Sequence, residues 1–122
     1  MMLDVSTRLV TLDRALSNKQ LLGLGDPSWL TWRSVLKSAY AEPLSDAERA
    51  AFDKVAGGRS PPQCKVKQFI CAASRRSGKG RAAGGLATYE SALVEHSARL
   101  APGEVGVVAC ISPARERTLP AL

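Results

Sequence analysis

No apolar run in this 122-residue chain approaches the ~18 residues that a membrane-spanning helix needs. The N-terminus also lacks the apolar core of a secretion signal, so the expectation is a soluble chain in a reducing, cytoplasmic setting. Histidine occurs once, at His96, and no motif places an acid and a nucleophile around it, which excludes a recognisable Ser-His-Asp or Cys-His system. Cysteine is sparse: Cys64, Cys71 and Cys110 are an odd number without close pairing, as expected of reduced thiols used for packing. The six-residue gap between Cys64 and Cys71 does not suit a zinc knuckle.

The most informative absence is of acid. No Asp or Glu stands between Asp53 and Glu90, whereas Lys54, Arg59, Lys65, Lys67, Arg75, Arg76, Lys79 and Arg81 all do. These eight cations exceed the whole chain's net +6, so the remaining nine are outnumbered by eleven carboxylates. The basic character belongs to one window, as expected of a surface that meets phosphate. A solvated basic face is the plainer reading of the same pattern.

The N-terminal half reads as helices. Leu9, Leu12 and Leu16, with Val5 a turn earlier, space a short amphipathic helix over 3–16. Asp26-Pro27 is a helix start, a capping carboxylate followed by proline at the first helical position. Trp29, Trp32, Leu36 and Tyr40 then share one stripe until Pro43 stops the helix. That stripe favours core packing over a stacking platform for nucleic acid. Ser45 and Glu48 form a capping box for a further helix that ends at Gly57-Gly58. Arg59 to Gln63, with two prolines, reads as a linker. It divides the chain into a helical segment, 1–60, and a second domain, 61–122.

From Lys65 the pattern changes. Val66 to Ala73 reads as a strand, apolar at its end as a strand buried on both faces would be. Ser74-Arg75-Arg76-Ser77-Gly78-Lys79-Gly80-Arg81 follows and opens helix-like spacing that lasts to about Leu100. Val105 to Ile111 reads as a second buried strand. Strand, Gly-Lys turn and helix are the context of a phosphate-binding loop, in which backbone N–H groups at a helix start and a lysine hold an anion. A complete motif has Gly, four residues, Gly-Lys, then Ser or Thr. Here Ala73 stands at the first glycine position and Gly80 at the hydroxyl position.

With these pieces in view, the chain resembles the start of a bacteriophage terminase large subunit, the ATPase that drives DNA into the prohead. Asp26-Pro27-Ser28-Trp29 with Thr31-Trp32-Arg33 and Leu36 is similar to that family's tryptophan-arginine leader helix. Pro43-Leu44-Ser45 and Glu48 match its next element, and Ser112-Pro113-Ala114-Arg115 looks like its Ala-Pro-Thr-Arg element. The most specific likeness is the arginine pair before Ser77-Gly78-Lys79.

The resemblance implies an α/β fold: N-terminal helices, then the first βαβ unit of a P-loop NTPase, incomplete. It implies ATP with Mg²⁺ as the cofactor of the parent family, held by Ser74, Arg75, Arg76, Ser77, Gly78, Lys79, Gly80 and Arg81. It also implies double-stranded DNA and the prohead portal as parent partners, in the cytoplasm of a bacterial host. Two departures from the family matter. The magnesium-binding hydroxyl is replaced by Gly80, and no strand after the loop ends in a catalytic acid. The chain ends at Leu122 without a counterpart of the family's nuclease domain, as a truncated prophage copy would. The expectation is a catalytically silent fragment, prone to self-association through uncovered sheet edges. A small basic module binding phosphate or nucleic acid without nucleotide chemistry is the alternative.

Overall fold

The computed structural model describes residues 7–109 and 111. The Ser112–Arg115 element and Cys110 lie outside the described residues. The chain forms two compact units, one of residues 12–72 and one that joins residues 7–11 to the chain from Ala73 onward.

The first unit contains α1 (Leu12–Ser17), α2 (Leu30–Ala39) and α3 (Asp46–Val55), with α2 packed against both neighbours. Its core is Leu12, Leu16, Leu24, Leu36 and Phe52, all buried. The predicted start at Asp26-Pro27 forms: the Asp26 carboxylate accepts from Ser28 N–H at 2.9 Å, and that bond holds its pKa below the ordinary value. A single 3-10 turn, Pro27–Trp29, leads into α2. Along the predicted stripe burial deepens from the half-buried Trp29 and Trp32 to the buried Leu36 and Tyr40, as expected of a core face rather than a stacking platform. Arg33, from the same helix, donates Nη1 to the carbonyls of Leu24 and Asp26 at 2.9 and 2.6 Å. The guanidinium thereby ties the preceding connector to α2.

Two caps set the ends of these helices. Past α2 the chain closes with Glu42 N–H on Lys37 O and Ala41 N–H on Ser38 O, with Ala41 in the left-handed region at φ +55°. This turn aims the Glu42 carboxylate at α1, where its two oxygens accept the N–H groups of Leu12 and Asp13 at 2.8 and 2.9 Å. The capping box forms in both directions, Glu48 N–H to Ser45 Oγ at 3.3 Å and Ser45 N–H to Glu48 Oε1 at 2.9 Å. Replacing Ser45 by Ala is expected to cost about 1 kcal/mol, read as a lower urea midpoint by tryptophan fluorescence.

The part of the helix expected over 3–16 that lies in the described residues is shorter, because Thr7–Arg8 is extended and pairs elsewhere. β1 (Thr7–Arg8) runs antiparallel to β2 (Val94–Glu95), with Thr7 opposite Glu95 and Arg8 opposite Val94. This pairing draws residues 7–11 into the second unit. The boundary expected at residue 60 falls inside the first unit instead. There, Val66 N–H donates to Ala39 O at 2.9 Å and the Lys65 ammonium lies 4.8 Å from the Tyr40 ring centre.

The second unit is built on α4 (Lys79–Thr88). The helix expected to reach Leu100 stops there and passes into a π-helical turn, Tyr89–Leu93, before β2. Two features explain the early end. Gly84-Gly85 weakens the helix by about 1 kcal/mol per residue relative to alanine, and Thr88 Oγ1 bonds back to Gly84 O at 3.0 Å, a contact that bends helices. Tyr89, Ala82 and Val94 form the core of this unit.

Neither predicted βαβ strand is paired. Residues 68–74 and 104–109 carry no regular structure, and Ile70, Val107 and Ile111 are 91%, 85% and 94% exposed. The antiparallel β1·β2 pair is the sheet present among the described residues. A parallel strand gains its stability from neighbours on both edges and helices on both faces. Among the described residues the short β2 pairs with β1 and with neither predicted strand. Among the described residues no helix is long and apolar enough to cross a membrane.

Candidate functional site

The loop Ser74–Arg81 is a sharp turn that delivers Lys79 to the first position of α4. Arg76 and Gly78 both take left-handed backbone conformations, at φ +62° and +86°. For arginine that conformation costs about 1 kcal/mol, whereas glycine adopts it freely. Gly78 is the N-cap, and the first intrahelical bond runs from Ala82 N–H to Gly78 O at 2.9 Å. The amides of Lys79, Gly80 and Arg81 therefore belong to the helical turn whose N–H groups have no carbonyl within the helix.

Electrostatically the site is entirely cationic. Arg75, Arg76, Lys79 and Arg81 are all exposed, and none forms an ion pair with a carboxylate among the described residues. Lys79 instead folds back over the turn, donating Nζ to Ala73 O at 3.1 Å and to Ser74 O at 3.4 Å. Ser77 and Gly78 are partly covered. Thus the eight residues singled out from the sequence are brought together in one turn. What they lack is the regular strand expected before them.

A magnesium ion does not fit this loop. Magnesium takes oxygen ligands in near-octahedral geometry, and the position that supplies the hydroxyl in a complete motif is Gly80. Ser77 precedes the helix cap and so stands on the other side of the turn. No carboxylate lies anywhere from residue 54 to 89. Among the described residues no group of three His, Cys, Asp or Glu side chains could hold a metal ion.

The remaining candidates are dispersed. Cys64 and Cys71 are exposed rather than packed as the spacing suggested, because the segment carrying them joins no sheet. His96 places Nε2 3.1 Å from Glu90 O and 3.0 Å from Glu90 Oε2, closing the π-helical turn on itself.

One cluster had no counterpart in the sequence reading. Lys37, 4% exposed, donates Nζ to Asp13 Oδ1 and Glu48 Oε1, both at 2.8 Å. The capping-box pattern marks Glu48, but nothing in the spacing of Lys37 or Asp13 points to either. Comparison with models of known protein families, with curated proteins and with solved structures returned no match.

Proposed function

We propose that Ser74–Arg81 is a degenerate phosphate loop, and that the chain corresponds to the start of a phage terminase large-subunit ATPase that has lost hydrolysis. The observation that carries this reading is the position of Lys79. It is the first residue of α4, directly after a left-handed glycine, with its ammonium folded over the carbonyls of its own turn. Two neighbouring arginines and the lack of any acid from 54 to 89 add a field that favours polyphosphate.

In this reading residues 65–111 correspond in sequence to the first βαβ unit of a P-loop fold, whose strands lack here the neighbours that would pair them. The apolar Ile70, Val105 and Val107 are the side chains that further strands or a second copy would cover. Without a magnesium-binding hydroxyl at residue 80, the loop holds nucleotide weakly and does not turn it over. Double-stranded DNA and the prohead portal belong to the parent motor, and the bacterial cytoplasm is where such a chain would act.

Calorimetric titration of the full chain with ATP tests the reading. Saturable binding is expected, weakened about tenfold in Lys79→Ala, since a phosphate-facing lysine is a charge-assisted contact. Duplex DNA that binds with a log–log salt slope near −4.5, about five phosphates' worth, and is not displaced by ATP would favour the basic-module reading instead.

A further inference from the structure

We infer that this loop takes its polyphosphate without a metal: its ligand is the free tetra-anion of ATP, or inorganic tripolyphosphate, rather than the magnesium complex. The inference rests on the phosphate-loop reading above and follows from a mismatch between that motif and its donor set.

Where a complete loop offers magnesium a hydroxyl and a nearby carboxylate, this one offers Gly80 and a 36-residue window without acid. In their place stand Arg75, Arg76 and Arg81, each exposed. Several cations of the first unit do have partners. Lys37 is clasped by Asp13 and Glu48, Arg49 meets Asp53 at 3.1 Å, and Arg33 binds two backbone carbonyls. The loop's three guanidinium groups have no carboxylate partner among the described residues. A guanidinium presents a planar fork that matches two phosphate oxygens, so three of them can neutralise what the ion neutralises in a complete site. Bringing Mg²⁺ into the same turn would set two positive charges against four, and would also cancel half the charge on the nucleotide.

The loss of the hydroxyl is not forced by space. A Cβ built at Gly80 meets nothing within 4 Å, and this glycine is the second residue of α4, where a serine is tolerated. Gly80→Ser is therefore a clean reporter: it adds a magnesium ligand without removing a cation.

The test is calorimetry and ³¹P NMR of the full chain with ATP, once with EDTA and once with saturating Mg²⁺, at matched ionic strength. Binding is expected with EDTA and should weaken at least about fivefold with Mg²⁺, as an exposed electrostatic contact loses half its partner charge. Tripolyphosphate should compete in EDTA. The Arg75→Ala/Arg76→Ala/Arg81→Ala variant should lose at least about tenfold in EDTA with an unchanged far-UV circular dichroism spectrum. Gly80→Ser should shift the EDTA-to-Mg²⁺ ratio toward the metal complex. Tighter binding of the unmodified chain with Mg²⁺ would overturn the inference and leave the phosphate loop standing. Absence of binding in both buffers would overturn the phosphate loop itself, and the inference with it.

Discussion

Glu48→Ala is expected to destabilise the helical unit by about 3 kcal/mol at neutral pH, because it strips one partner from a buried ammonium. Lys37 reaches Glu48 and Asp13 at equal distance, but the two carboxylates differ. Glu48 is buried, whereas the Asp13 side chain is 56% exposed, and water competes for it. The variant keeps the exposed partner and loses the buried one. It also loses the return half of the capping box, the Ser45 N–H bond. Lys37→Met should cost much less, since an apolar chain of similar length removes the buried charge with its desolvation penalty. Lys37→Met combined with Glu48→Leu should recover most of the loss, as buried ion pairs replaced by apolar residues often do.

The pH dependence has a sign that can be worked out from both partners. For Glu48, burial opposes ionisation, but the Lys37 bond and the Ser45 N–H outweigh it and hold the pKa below its ordinary 4.5. That contribution is present above 4.5 and is lost as pH falls through the lowered value. For Lys37, burial disfavours the ammonium, but hydrogen bonds to Asp13 and Glu48 outweigh it and raise the pKa above 10.5. That contribution is present below 10.5 and fades as pH rises through the raised value. The difference between the parent chain and Glu48→Ala should therefore be widest between about pH 5 and pH 10 and shrink on either side. Both tryptophans, Trp29 and Trp32, belong to this unit, so urea titrations followed by tryptophan fluorescence report it selectively. A neutral-pH difference below about 1 kcal/mol, the range of a solvent-exposed pair, would mean that the Lys37 ammonium is hydrated.

How much of this was legible in the residues depends on whether the signal was local. Asp26-Pro27, the Ser45–Glu48 box and Gly57-Gly58 each act through backbone groups within four residues. Each sits where the pattern put it, with the two glycines left-handed at φ +64° and +82°. The Gly78-Lys79 turn is local in the same sense. The strands were not: Val66–Ala73 and Val105–Ile111 have the apolar composition of buried strands, yet composition names no neighbour, and the described residues of both remain unpaired. Conversely, Thr7–Arg8 and Val94–Glu95 pair although neither dipeptide carries a strand pattern. Their register is imposed by a contact between residues nearly ninety apart. Lys37 was missed for a related reason. A lysine beside the apolar stripe of α2 reads as solvated until Asp13 and Glu48, on two other helices, are brought to it.

That long-range contact makes Tyr89 the decisive residue of the second unit. Its side chain is fully buried and its hydroxyl donates to Val10 O at 2.6 Å, next to Leu9, whose N–H reaches Leu93 O at 2.9 Å. Two paired residues per strand cannot hold a two-stranded sheet in water, so the buried side chains of this unit, Tyr89 first among them, must supply the stability. Tyr89→Ala should cost about 3–5 kcal/mol through the cavity it leaves, seen as loss of hydrogen-exchange protection at the Leu9 amide. Tyr89→Phe keeps the ring and forfeits one hydrogen bond, about 1 kcal/mol. Tyr89 also caps α4, its N–H reaching Gly85 O and Leu86 O, so the same ring anchors the far end of the helix that presents Lys79. ATP binding should accordingly fall in Tyr89→Ala and persist in Tyr89→Phe. If both variants bind as the parent chain does, the loop is held by its own left-handed turn at Arg76 and Gly78 and not by the core beneath the helix.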